Sequence, residues 1–302
     1  MSYASFRGTD RFVSGDGNYT IFTCDADGSN RVDFPYHGCD PAWAWNGAAI
    51  IFLSLDRQQI WCANVDGSGL YNLGVIAGGG GGILVQPTLN LATGWYWVNH
   101  FDPSSNTYQL YKFHNGGYDI TLMANLLEWG YDVQPNGLAF VCSGWCSGHW
   151  QLLYGWADQT HYGWLNGRTD SGAQDYPDAR RPAFSHTEFG GPGQYILAYS
   201  TGDLVAVDPH IPASYRKNGI ARWCPWVSVT PWHVVDVAPG MGIYVDSPAF
   251  SSDDSTVTYD FNDPNGSGVW ATDGFSGGGV QGNANGCIYQ MNSGGCTRCK
   301  HK

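Results

Sequence analysis

A chain of 302 residues with a formal net charge of −12 and only 14 Lys and Arg has no electrostatic footprint for a phosphate backbone or an anionic lipid surface, so nucleic acid is not an expected partner. Its 42 Gly, 14 Trp and 18 Tyr, with no sustained 3.6-residue apolar period, exclude a helical protein and point to an all-β chain of short strands and tight turns. No apolar run is long enough to span a bilayer, so no membrane insertion is expected, and residues 1–20 lack the basic start and apolar core of a signal peptide.

In chain order, the first strand signals are Arg11-Phe12-Val13-Ser14 and the run from Tyr19 to Gly28, which closes on Asp27-Gly28. The clearest unit follows between Asp40 and Gly69. An aromatic strand (Pro41, Ala42, Trp43) meets a turn at Asn46-Gly47, an apolar run covers Ile50 to Leu53, and Ile60-Trp61-Cys62 ends in Asp66-Gly67. Gly78 to Gly82 reads as a loop in which backbone approaches backbone closely. Strands are then expected at Gly94–Val98 and Tyr108–Phe113, and around the turn in Val133–Val141. Pro182-Ala183-Phe184-Ser185 and Ser247-Pro248-Ala249-Phe250 repeat the Pro-Ala-aromatic start, and Gly268 to Gly274 repeats the strand that ends in Asp-Gly. Trp223 to Trp226 and Pro231 to His233 read as a decorated outer strand or an edge excursion.

This pattern of Pro-Ala-Trp, turn, apolar strand, loop, Ile-Trp and Asp-Gly resembles the WD-like repeat of TolB-type β-propellers. Third-strand anchors at Phe22, Trp61, Tyr111, Leu153, Val205 and Trp270 are separated, by subtraction, by 39, 50, 42, 52 and 65 residues. The expected fold is therefore all-β, a single β-propeller domain of six blades with three to four antiparallel strands each. The blades fall at about 2–36, 37–78, 83–127, 129–169, 176–238 and 243–292, followed by a Cys-rich tail at 293–302. Residues 2–6 and 287–292 are expected in the same or adjacent blades, because a ring must hide its two edges.

The resemblance also implies that the connections into the first strands share a rim with the loops between second and third strands. The first set carries Tyr36, His37, Asp40, Gln86, Trp129, Tyr131, Asp132, Asp178, Arg180, Arg181, Asp246 and Ser247. The second carries Asp56, Arg57, His100, Asp102, Trp145, His149, Asp260 and Asp263. Aromatic faces beside short carboxylates and amides suit a neutral polyhydroxylated ligand, stacking on its C–H patches and bonding its hydroxyls. The expected ligand-binding set is Asp40, Gln86, Trp129, Tyr131, Asp132, Arg181 and Ser247, and a water-filled channel sealed by an Asp and Arg pair explains the same residues. The leading function is a non-catalytic, lectin-like binding propeller with a carbohydrate or glycoprotein partner. A polysaccharide lyase or glycosidase using rim His, Asp and Arg, and a structural or self-assembling protein that forms homo-oligomers, stay as alternatives.

No cofactor or catalytic residue is expected, because no Gly-x-Ser-x-Gly elbow or glycine-rich phosphate loop is present. No metal is expected either: His37, His100 and His149 fall in different repeats without a ligand motif, and Asp25 to Asn30 begins like a calcium loop but meets Tyr36 where a Glu is required. Nine cysteines, an odd number, leave the compartment open and leaning extracellular. Cys287, Cys296 and Cys299 of the tail read as disulfides or free thiols rather than zinc ligands, and Cys142 and Cys146 as neighbours in a loop. Asn18-Tyr19-Thr20 and Asn265-Gly266-Ser267 match the N-glycosylation pattern.

Overall fold

The computed structural model describes residues 11–15, 18–25, 30–74, 82–114, 120–126, 130–146, 149–165, 179–201, 218–224, 232–237, 244–250, 254, 256–263, 266–273, 289–292 and 295–298. Its chain divides into two compact units, the first built on residues 1–129 and the second on most of residues 130–290.

The first unit holds three antiparallel meanders. One is β1 (Arg11–Gly15), β2 (Thr20–Asp25) and β3 (Val32–His37). The next is β4 (Cys39–Ala44), β5 (Ala49–Leu53), β6 (Ile60–Asn64) and β7 (Tyr71–Gly74). The third is β8 (Ile83–Leu89), β9 (Tyr96–Asp102), β10 (Thr107–Phe113) and β11 (Thr121–Leu126). The expected turn at Asn46-Gly47 is a single 3-10 turn, Trp45–Gly47, the only helical element among the described residues.

Strand β5 shows why these strands read as unbroken apolar runs. Its side chains alternate between two neighbours: Ile50 and Phe52 pack with Val13, Ile21 and Phe34 of the sheet before. Ile51 and Leu53 pack with Leu84, Leu89 and Val98 of the sheet after. Both faces are buried, so a period of two in direction leaves no period in polarity. Each such side chain contributes roughly 1.5–3 kcal/mol by leaving water.

The second unit repeats the arrangement. Its first sheet is β12 (Tyr131–Val133), β13 (Ala139–Cys146), β14 (His149–Trp156) and β15 (Tyr162–Trp164). Its second is β16 (Ala179–Glu188), β17 (Tyr195–Thr201), β18 (Asn218–Trp223) and β19 (Trp232–Val237). Its third is β20 (Tyr244–Phe250), β21 (Thr256–Asp263) and β22 (Gly266–Asp273). Leu197 and Tyr199 of β17 face Val141 and Leu152, whereas Ile196 and Ala198 face Phe250, Val257 and Tyr259. A last hairpin pairs β23 (Tyr289–Asn292) with β24 (Gly295–Arg298), of which residues 291–298 belong to the first unit.

The third strand of the β16–β19 sheet is β18, and the segment around Val205 expected to anchor it lies outside the described residues. Trp223 ends β18, while Trp232 and His233 lie on β19, the outer strand of that sheet and one of the two readings given for the stretch. Two expectations are corrected here. His100, Asp102, Trp145, His149, Asp260 and Asp263 sit on strands rather than in loops, since the hairpins are tighter than the repeat resemblance implied. Cys142 is also on a strand, β13, as is Cys146.

Cys24, Cys39, Cys62, Cys142 and Cys224 are buried thiols and not disulfides. Burial pushes up the thiols of Cys39, Cys62 and Cys142, which makes them poor nucleophiles at neutral pH. Cys287 and Cys299, and the side chain of Cys296, lie outside the described residues. These five thiols should resist a colorimetric disulfide reagent in the native protein and react on denaturation; rapid native labelling at any of them, mapped by mass spectrometry, would contradict their burial.

Sheet-to-sheet contacts in the second unit are closed by a polar clasp. Asp254, with a left-handed φ of 59° and a side chain 1 % exposed, accepts His186 N at 2.7 Å, His186 Nδ1 at 3.0 Å, Thr187 N at 2.8 Å and Thr187 Oγ1 at 2.6 Å. Burial alone would raise this carboxyl, but the His186 and Thr187 donors outweigh it and hold it below the usual carboxylate range. A depressed folded pKa contributes stability that is complete above the unfolded value, about 3.9, and is lost as pH falls through the folded value. Asp254→Asn tolerates the left-handed backbone but removes the charge and turns one acceptor oxygen into a donor facing other donors, so it should cost roughly 2–3 kcal/mol at pH 7. The gap from wild type should narrow below about pH 4, as urea denaturation at pH 7 and pH 3 would measure.

Candidate functional site

The first strands of four sheets share an irregularity that the sequence marks with proline. In β4, β8, β16 and β20 the register gains one residue, between Cys39 and Ala42, Val85 and Thr88, Arg180 and Ala183, and Asp246 and Ala249. Each β-bulge contains an X-Pro pair: Asp40-Pro41, Gln86-Pro87, Arg181-Pro182 and Ser247-Pro248. Proline has no N–H to lose at the break. Asp40, Gln86 and Arg181, the residues before three of these prolines, have φ of 47°, 54° and 49°, against the extended backbone that a following proline favours.

An amide displaced by a bulge needs an acceptor, and at two of the four the preceding sheet is seen to provide one. Gln86 N donates to Asp40 Oδ2 at 3.1 Å, and Arg181 N donates to Ser143 Oγ at 2.8 Å. Arg57 grips Asp40 with both terminal nitrogens, Nη1 to Oδ2 at 2.7 Å and Nη2 to Oδ1 at 3.0 Å. Its carbonyl accepts Leu84 N at 2.8 Å. Burial alone would lower the Arg57 pKa, but its bonds to Asp40 raise it instead. Asp132 spends Oδ2 on Phe184 N at 2.8 Å, and Tyr131 is buried beside it.

Of the expected ligand set, Asp40, Tyr131 and Asp132 are thus buried in the framework. Gln86 and Arg181 are half-buried at bulges. Trp129 and the side chain of Ser247 lie outside the described residues. Asp40, Gln86 and Arg57 come together in the first unit, and Tyr131, Asp132 and Arg181 belong to the second. His100 is buried on β9, its Nδ1 forms no hydrogen bond, and its Nε2 would lie 2.4 Å from a Cβ on Gly82, which explains why the close approach expected there requires glycine. Among the described residues no group of three His, Cys, Asp or Glu is gathered as a metal site.

Accessible chemistry in the first unit lies at the end where the β1–β2 and β5–β6 loops meet the connections into β4 and β8. Tyr19 is 54 % exposed with φ 62°, and its carbonyl accepts Gly38 N at 3.0 Å. His37 is exposed, with Nδ1 3.3 Å from Asn18 O. Arg57 has φ 56° and keeps 26 % of its side chain exposed. Left-handed Tyr and Arg cost about 1–3 kcal/mol each, a strain typical of sites where the side chain matters. In the sequence Tyr19 figured only as the start of a strand run and as part of a glycosylation pattern; its position in the β1–β2 loop, equivalent to Arg57 in the β5–β6 loop, was the available signal.

Removing the acceptor at the centre of this end should weaken the fold. Asp40→Ala strands the Gln86 amide and unpairs Arg57, so it is expected to lower unfolding free energy by about 2–3 kcal/mol. Asp56→Ala, at an exposed carboxylate in the same loop, should cost under about 1 kcal/mol. Denaturant titrations of both variants check the contrast.

No family model and no curated protein matches the sequence. Solved structures do resemble the fold. TolB from Acinetobacter baumannii aligns with a TM-score of 0.63 at 15 % identity, over 90 % of this chain and 60 % of its own, so this chain spans less than two thirds of that protein. A putative TolB from Agrobacterium tumefaciens aligns with a TM-score of 0.55 at 13 % identity, over 80 % of this chain and 79 % of its own. A chain of a nidogen/laminin complex gives 0.60 at 10 % identity, over 87 % and 89 %. At these identities the likeness speaks to architecture alone, and it agrees with the successive antiparallel meanders: the chain is an all-β protein with the β-propeller fold of TolB-type structures.

Proposed function

We propose that this is a six-bladed, non-catalytic binding propeller of lectin type, which takes a neutral carbohydrate at the Tyr19, His37 and Arg57 end of the first unit. Four sheets of four strands and two of three follow one another among the described residues, which supports six blades. The observation that carries the binding reading is the strain. Left-handed backbone at non-glycine residues occurs elsewhere in the chain, at Trp45, Asn106 and Gln159 among others, and at this end both Tyr19 and Arg57 have it, with side chains that reach water. An exposed tyrosine ring beside an imidazole and a guanidinium provides a stacking face and hydrogen-bond donors without a nucleophile. The carboxylates of Asp40 and Asp132 are spent on framework donors, which supports binding over hydrolysis, since a glycosidase needs two carboxyls facing its substrate.

A protein partner is the second reading. The resemblance to a chain of a nidogen/laminin complex supports it, and so do exposed Leu55 and Ile83 in the same loop and strand end.

Tyr19→Ala should reduce affinity for a glycan identified on an array about tenfold, the effect of a lost stacking face. Calorimetry measures this, with unchanged thermal unfolding as the control. Release of a shortened or unsaturated product by the wild-type chain would replace the lectin reading with an enzyme.

A further inference from the structure

We infer that His37 is a specificity-determining residue of this end: its Nε2 accepts the hydrogen of one sugar hydroxyl, so the ligand must present a donor at that position. This rests on the lectin reading and specifies the ligand chemistry at its site. His37 Nδ1 lies 3.3 Å from the carbonyl oxygen of Asn18. A backbone carbonyl only accepts, so Nδ1 carries the proton, and in the neutral imidazole Nε2 is left with a lone pair. Nε2 makes no hydrogen bond among the described residues, and the side chain is exposed.

The pairing of β2 with β3 puts this acceptor beside Tyr19. Thr20 is the ladder partner of His37, and Gly38 N donates to Tyr19 O at 3.0 Å. The Asn18 carbonyl that receives Nδ1 belongs to the peptide group entering Tyr19, and the Tyr19 carbonyl belongs to the one leaving it. His37 and Gly38 therefore hold the peptides on either side of the left-handed Tyr19, whose side chain is 54 % exposed. Both contacts are to backbone, so the imidazole is placed against the tyrosine's own loop before a ligand arrives. What can meet its lone pair is narrow. An ether, carbonyl or carboxylate oxygen sets lone pair against lone pair, whereas a hydroxyl turns its hydrogen toward the nitrogen. A sugar ring stacked on Tyr19 carries such hydroxyls around its rim, and His37 supplies the acceptor for one of them.

The test uses the full chain, isothermal calorimetry at pH 8, and methyl glycosides of mannose, galactose and N-acetylglucosamine, with the monodeoxy and monodeoxyfluoro derivatives of whichever binds best. Fluorine keeps the size and a weak acceptor but has no hydrogen to give. At one position both derivatives should bind wild type about five- to tenfold more weakly, the size of one lost hydrogen bond. His37→Asn keeps a donor for the Asn18 carbonyl and removes the Nε2 position. It should bind the parent glycoside more weakly by the same factor and no longer distinguish it from the deoxy sugar, with thermal unfolding unchanged. His37→Gln, which can place an amide oxygen where Nε2 stood, should recover part of the affinity. Should His37→Asn unfold early, the sugar series on the wild-type chain reads the same contact. If every position sensitive to deoxygenation tolerates fluorine, the sugar is read by donors alone and the acceptor role of His37 is overturned. An unaltered deoxy preference in His37→Asn, with Tyr19→Ala still impaired, would likewise overturn it and leave the lectin reading standing. Binding of no glycoside by the wild-type chain would remove the lectin reading itself.

Discussion

An amide that leaves its ladder must find another acceptor, and in this protein the neighbouring sheet supplies it. The Asp40 carboxylate takes the Gln86 amide and holds the Arg57 guanidinium, so one buried group ties a loop, a bulge and two sheets together. Ser143 does the same for Arg181 with a hydroxyl. A carboxylate can satisfy three donors where a hydroxyl satisfies fewer, and the first unit uses the surplus to fix Arg57. The bulge therefore governs both how the sheets join and which side chains remain available at that end.

Much of the architecture was legible in the sequence because the strands are buried on both faces. Unbroken apolar runs such as Ala49 to Leu53, punctuated by Asn-Gly and Asp-Gly, have few readings other than strands between neighbouring sheets. The Pro-Ala-aromatic signature marked the first strands because the bulge demands proline at its break. The spacing inside the β16–β19 sheet was not legible: its third strand begins at Asn218, and no local pattern encodes how far along the chain that strand lies.

The candidate site was less legible, and for a different reason. A sequence shows that Asp40, Asp132 and Gln86 are polar, not which lone pairs are already taken. Polar residues at the start of first strands were read as a ligand set, yet two of the carboxylates are acceptors for the framework's own amides. Conversely, nothing about Tyr19 in isolation distinguishes it from an ordinary surface tyrosine. Its left-handed backbone does, and that is a property of the folded loop.

The opposite loops show how one contact can be made by different means. Gly137 fits where a Cβ would come within 2.3 Å of Thr93, and Asn90 reaches across to the Pro135 carbonyl. At the corresponding turn before β21, Asp254 adopts the same left-handed φ and reaches His186 and Thr187 with its side chain. Packing of a glycine against neutral side chains depends little on pH, whereas a carboxylate clasp depends on its charge. The strain of a non-glycine residue at Asp254 is offset by four donors, so stability there is explained by the fold. At Tyr19 only a backbone carbonyl is engaged and the ring points to water. Strain without internal compensation is what separates the end bearing Tyr19 from the clasp at Asp254, and it is the physical reason to look for a ligand at the former.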